Sequence, residues 1–132
     1  KANDQTNYAW RDTDAWIQTD LNWRTVSRNE GNLSLHDEVQ ILNFGHGHSF
    51  GMLGLSVRLP ASGEVLLVSD AAYCAENLHR PPMMPGFFED EAGFKATLDT
   101  IRHRQHLGAD IWFGHDPRQF AGLRKSTDGA YE

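Results

Sequence analysis

Apolar residues recur along this chain with two different periods, and the change of period marks its elements. From Val39 onward the pattern is strand-like. "VQILNF" reads as a first strand. "MLGLSVRLP" reads as a second, because Leu53, Leu55, Val57 and Leu59 fall on alternate positions. "ASG" makes a turn, and "EVLLVSD" reads as a third strand, nearly continuous in apolar residues and so buried. The two strands flanking Ala61 to Gly63 form a hairpin. "AAYCAENLHRPPMMPGFF" reads as a loop, interrupted by Pro81, Pro82 and Pro85.

The period then lengthens. Phe94, Leu98 and Ile101 repeat at intervals of four and three, which puts them on one helical face. Asp90 is a suitable N-cap, Glu91 places a carboxylate in the first turn, and Gly108 is a suitable stop. "ADIWFGHDP" follows as a short strand running into a loop. The order is strand, strand, strand, helix, strand. That is too little sheet and helix to close a large layered core, so the chain reads as half of an α/β protein.

Residues 1–38 differ from the rest. They are polar and rich in tryptophan, with Trp10, Trp16 and Trp23 recurring at intervals of six and seven. A helix with an aromatic stripe, a loop pinned to a larger body and a lid over a site all fit this spacing. The expected organisation is therefore a lid or connecting segment over 1–38, then strands, helix and loops over 39–132, all within one domain.

The totals narrow the class. A length of 132 residues suits one domain, and 39% hydrophobic residues suffice for a core. A net charge of −6 argues against a nucleic-acid partner, which usually meets a basic face. The single cysteine, Cys74, excludes an internal disulfide framework. No apolar run approaches the length of a membrane span. No signal peptide is visible, so a cytoplasmic setting is expected. The first residue is Lys1 and not Met, which leads us to expect that a true amino terminus lies further upstream.

Candidate chemistry collects where strands end. Between Asn43 and Leu55, "NFGHGHSFGMLGL" places two histidines among four glycines. Glycines there let the backbone turn sharply and approach a neighbour closely. His48 lies in this loop, Asp70 ends the third strand, and His115 follows the last. Strand ends are where α/β folds build their sites. Two imidazoles and a carboxylate suit a zinc-like cation, although such a trio can be collected from many sequences. The chain has seven histidines; His36, His79, His103 and His106 stand among polar neighbours and read as surface residues. His46 reads as an exposed neighbour of His48.

Three ordered motifs resemble the metallo-β-lactamase superfamily, and within it the N-acyl homoserine lactonase-like branch. They are Gly47-His48-Ser49-Phe50-Gly51, Asp70-Ala71-Ala72-Tyr73 and Gly114-His115-Asp116. From His48 to Asp70 is 22 positions and from Asp70 to His115 is 45, in keeping with the family. The resemblance covers roughly Leu42 to the end. It implies the C-terminal half of an αββα sandwich and a dinuclear centre of two divalent metal ions, zinc first, with cobalt, manganese or iron as alternatives. It also implies a hydrolase that opens a lactone ring, an N-acyl homoserine lactone in quorum quenching, by attack of a hydroxide shared between the metals.

Residue by residue, the resemblance makes His48 a ligand of one metal, Asp70 the bridging carboxylate and His115 a ligand of the other. Tyr73 becomes the phenol facing the substrate, with Asp70 and Tyr73 the catalytic pair. Gly86 becomes a backbone contact to substrate, and Met84 and Phe87 the lining of an acyl site, though plain loop packing explains those two equally well. Two positions depart from the family: Met52 stands where many relatives have a second histidine, and His46 where many have proline. The His-x-His-x-Asp-His string that supplies four further ligands is absent from these 132 residues. The expected partners are thus a small lactone and a missing N-terminal half carrying that string, with a homodimer as one compatible assembly. A glyoxalase II-like thioesterase and a non-catalytic half-domain are the alternatives. Tyr73, three residues after the bridging position, leans towards the lactonase.

Overall fold

The computed structural model describes residues 22, 24–27 and 29–124. Trp10, Trp16 and Trp23 lie outside the described residues, and with them the aromatic stripe and the lid.

Five strands form one sheet in sequence order: β1 (Leu33–His36), β2 (Val39–His46), β3 (Phe50–Leu59), β4 (Gly63–Leu67) and β5 (Asp110–Trp112). The first four run antiparallel, and β5 runs parallel to β4. A parallel neighbour needs a crossover. The connection from Val68 to Ala109 supplies it, and carries the helix α1 (Glu91–His106).

The expected order is present, with additions. β1 was not expected as a strand: it is four residues long and mostly exposed, and pairing with β2, Leu33 opposite Ile41, makes it one. A short helix, α2 (Pro117–Ala121), follows β5. β4 stops at Leu67, earlier than "EVLLVSD" suggests. Ser69 takes a left-handed conformation (φ 50°) and opens a 3-10 turn over Ser69–Ala71. Asp70 therefore sits on a turn just past the strand and not within it.

The helix begins and ends as its sequence dictates. Asp90 Oδ1 accepts the Ala92 N–H at 3.1 Å, and Gly108 follows the C-terminus at φ 98°. Its Phe94, Leu98 and Ile101 are buried against Leu42, Leu66, Val68 and Ile111 of the sheet side. Each such side chain contributes about 1.5–3 kcal/mol when fully withdrawn from water. Thr97 Oγ1 donates to the Phe44 carbonyl at 3.2 Å, and Arg104 pairs with Glu64 at 2.6 Å, fixing the helix on the sheet.

The opposite face of the sheet is different. Leu33, Ile41, Leu55, Leu67 and Trp112 lie in register across all five strands. Among the described residues no element covers them, and Ile41, Leu53, Leu55, Leu67 and Trp112 line a groove of about 470 Å³. The expectation that all of "EVLLVSD" is buried thus holds for Leu66 and Val68, while Leu67 is 40% exposed.

Candidate metal centre

Each of the three expected ligand residues is carried by a backbone segment tied to another. His48 occupies the tight connection between β2 and β3. The Gly47 carbonyl there accepts the N–H groups of Glu89 (2.9 Å) and Asp90 (3.0 Å), so the start of α1 holds the loop. The approach is close enough that a Cβ on Gly47 would lie 2.8 Å from the Phe94 nitrogen. His48 is buried as a result, at 7% exposure.

Asp70 and His115 are joined in the same way. The Ala72 carbonyl accepts the Gly114 N–H at 3.1 Å, and the Tyr73 carbonyl accepts the His115 N–H at 2.9 Å. These bonds extend the β4–β5 pairing past the strand ends. A Cβ on Gly114 would lie 2.5 Å from the Ser69 carbonyl oxygen, so the crossing requires glycine.

The side chains then meet. His115 Nε2 lies 2.8 Å from Asp70 Oδ1, and His48 Nε2 lies 3.7 Å from Asp70 Oδ2. The carboxylate thus presents one oxygen to each imidazole. The Tyr73 hydroxyl is 3.2 Å from His48 Nε2, and the phenol ring stands edge-on to both imidazoles, with centroids 5.3 Å from His48 and 4.7 Å from His115. Phe87 meets the His48 ring edge-on at 5.8 Å. Among the described residues no three His, Cys, Asp or Glu side chains converge as a single-ion pocket. Each Asp70 carboxylate oxygen has one imidazole beside it.

The other expected substrate-side residues stand apart from this group. Met84 is half-buried against the hydrophobic core. Gly86 is exposed, and a Cβ there would meet nothing within 4 Å. His46 corrects its expectation. It was expected to be exposed, yet it is half-buried, its ring 4.1 Å from that of Phe50, and its Nδ1 is buried with no hydrogen-bond partner among the described residues. The cause is the close docking of α1: a Cβ on Gly93 would run into the His46 carbonyl oxygen. The four histidines expected at the surface, His36, His79, His103 and His106, are exposed.

Sequence reasoning passed over the residues that brace the site. Asn77 is 1% exposed and bonds to the Tyr73 loop. Arg118 makes a two-oxygen ion pair with Glu76 at 2.5 and 2.6 Å, linking α2 to the turn after Tyr73. The Arg118 hydrogen bond draws the Glu76 carboxyl down to about 2. Burial pushes the Cys74 thiol up, away from reactivity. An Asn and an Arg–Glu pair carry no periodic signal, so only the fold could disclose them.

A layer of one helix on a mixed sheet, with imidazoles and a carboxylate at the strand ends, places the chain in the α/β class. Comparison with known proteins narrows this. No family model matches. The chain is 45% identical over 126 residues to the N-acyl homoserine lactonase AiiB of Agrobacterium fabrum, covering 95% of this chain and 46% of that protein. It is 31% identical over 106 residues to an N-acyl homoserine lactonase of Bacillus thuringiensis, covering 79% of this chain and 40% of that one. Among solved structures, an N-acyl homoserine lactone hydrolase with N-hexanoyl-L-homoserine bound at its catalytic metal centre superposes with a TM-score of 0.70 at 28% identity. That match covers 88% of this chain and 44% of the other. The chain belongs to the N-acyl homoserine lactonase branch of the metallo-β-lactamase superfamily. It spans about half the length of the relatives it matches.

Proposed function

We propose that this chain contributes the bridging carboxylate and one imidazole per cation to a dinuclear centre, in a hydrolase that opens the ring of an N-acyl homoserine lactone. The observation that carries this reading is the division of Asp70, with Oδ1 towards His115 and Oδ2 towards His48. Imidazole and carboxylate donors fit divalent cations of borderline character, zinc first, then cobalt, manganese or iron. Bound there, such cations would polarise the lactone carbonyl and lower the pKa of water towards neutrality.

The chain's own residues have distinct parts in this reading. Asp70 would hold the two cation positions at a fixed separation, with His48 and His115 as their terminal donors. Burial of His48 beneath the start of α1 keeps that side of the site dry. The Tyr73 hydroxyl, which lies beside His48, would donate a hydrogen bond to the substrate's carbonyl oxygen as negative charge develops on it. Phe87, Met84 and the backbone of Gly86 would border the acyl chain. Phe87 has the firmest support, through its contact with His48.

No His-x-His-x-Asp-His string occurs in these 132 residues, so the remaining ligands would come from polypeptide outside this sequence. The same polypeptide would cover the open sheet face, completing an αββα sandwich in which β1 joins 39–132 in one layer pair and the rest of 1–38 is a connecting segment or lid.

The test is Tyr73→Phe in the full-length protein, with lactone opening and metal content measured on one sample. Turnover should fall roughly ten- to a thousandfold with about two divalent ions retained per site. Full turnover with full metal would remove Tyr73 from the chemistry. Loss of metal would make Tyr73 a ligand.

A further inference from the structure

We propose that Asn77 is the positioning residue for Tyr73, its side-chain oxygen holding the Tyr73 turn by the Tyr73 and Cys74 N–H groups while its nitrogen ties that turn to the Met83 carbonyl. The proposal rests on the reading of Tyr73 given above.

Asn77 is fully buried, and its amide is used at both ends. Oδ1 accepts the Tyr73 N–H at 2.7 Å and the Cys74 N–H at 3.0 Å. Nδ2 donates to the Met83 carbonyl at 2.5 Å. The Tyr73 carbonyl is meanwhile held by the His115 N–H. The Tyr73 residue is therefore fixed from both sides, by Asn77 at its nitrogen and by the His115 loop at its oxygen. The turn bearing Asn77 is itself anchored on α1: Arg102 donates to the carbonyls of Leu78 (2.8 Å), Asn77 (3.2 Å) and His79 (2.8 Å).

The chemistry needs a neutral amide at this point. Aspartate keeps the acceptor for Tyr73 and Cys74 but loses the donor to Met83. Alanine or leucine loses both, taking from two N–H groups and a carbonyl the partner that Asn77 supplies. Because the phenol hydroxyl lies at the far end of a long side chain, a small shift of the Tyr73 backbone becomes a large one at the reacting atoms.

The experiment is a double-mutant cycle in the full-length, metal-loaded protein with N-hexanoyl homoserine lactone as substrate. Asn77→Ala should lower kcat roughly ten- to a hundredfold with metal content unchanged. Added to Tyr73→Phe, it should cost almost nothing further, since the hydroxyl it positions is already gone. Asn77→Asp should recover part of the kcat lost in Asn77→Ala while KM rises, because the Tyr73 and Cys74 N–H groups keep their acceptor while a carboxyl oxygen now faces the Met83 carbonyl. Equal losses from Asn77→Ala in both backgrounds would overturn the proposal, and so would an Asn77→Asp protein as slow as Asn77→Ala. If Asn77→Ala does not fold, the same cycle run with Asn77→Asp decides: it should cost kcat beside Tyr73 and almost nothing further beside Tyr73→Phe, and equal losses in the two backgrounds would overturn the proposal. Full turnover in Tyr73→Phe would instead overturn the reading of Tyr73, and this proposal with it.

Discussion

The layer beneath α1 and the cluster at the strand ends are built by different forces. Under the helix, Phe94, Leu98, Ile101, Leu66 and Val68 are almost wholly removed from water and held by packing. At the strand ends, Asp70 and His115 remain solvent-reachable, their side chains 39% and 60% exposed. They are placed by backbone bonds passed between loops, Gly114 to Ala72, His115 to Tyr73 and Glu89 to Gly47. The difference teaches that stability and chemistry can be altered separately here. The packed layer sets whether the chain folds, and the bonded loops set where four polar side chains point.

Substitutions can break that separation or sharpen it. Phe94→Ala should have the largest effect, destabilising the full-length protein by about 3–5 kcal/mol in denaturant unfolding. Turnover per folded molecule should change little. A comparable loss of turnover in the folded fraction would show that core and site are one unit.

Asp70→Ala should do the reverse. Turnover should fall by at least about 10²–10³-fold, and metal should be lost more completely than from His115→Ala. Asp70 faces both imidazoles, so its removal disturbs two cation positions where His115→Ala disturbs one. Removing the bridge also leaves two cations less compensated. Equal metal loss in the two variants would contradict the bridging role.

Leu67→Asp probes the open face of the sheet. If a further layer covers Leu67 in the full-length protein, a carboxylate there should cost ~3 kcal/mol or more. A change within about 0.5 kcal/mol would mean that this face meets solvent.

The smallest effect belongs to the Glu76–Arg118 pair. The hydrogen bond from Arg118 lowers the folded carboxyl from 4.5 to about 2. Its stabilisation is therefore complete above the ordinary value and fades as pH falls towards about 2. Arg118→Ala should lower stability slightly at neutral pH, as expected of an accessible pair, and the difference from the unaltered protein should vanish as pH falls towards about 2. A large loss at neutral pH would make the pair part of the site's frame.

Much of the architecture was legible because periodicity is a local record of burial. The spacing of Phe94, Leu98 and Ile101 and the cap at Asp90 define α1 to within a residue. The alternation of Leu53, Leu55, Val57 and Leu59 defines β3, although its start at Phe50 was missed. β1 was illegible because a four-residue, mostly exposed segment carries no period, and pairing with β2 makes it a strand. His46 misled because the glycines on either side of it, Gly45 and Gly47, give no sign of burial, while in space it meets Phe50 and the close-docked start of α1.

For the candidate site, the sequence by itself singled out His48, Asp70, Tyr73 and His115 and put them near strand ends. Ordered motifs at set separations are a one-dimensional property, and so they survive without coordinates. Only the tertiary structure decided that Asp70 turns one oxygen to each imidazole, that the Tyr73 hydroxyl lies beside His48, and that Asn77 holds the turn bearing Tyr73. The first two relations depend on side chains 22, 25 and 45 residues apart meeting at 2.8 to 3.7 Å. Such meetings are fixed by sheet register and loop-to-loop bonds, which no local pattern of residues encodes.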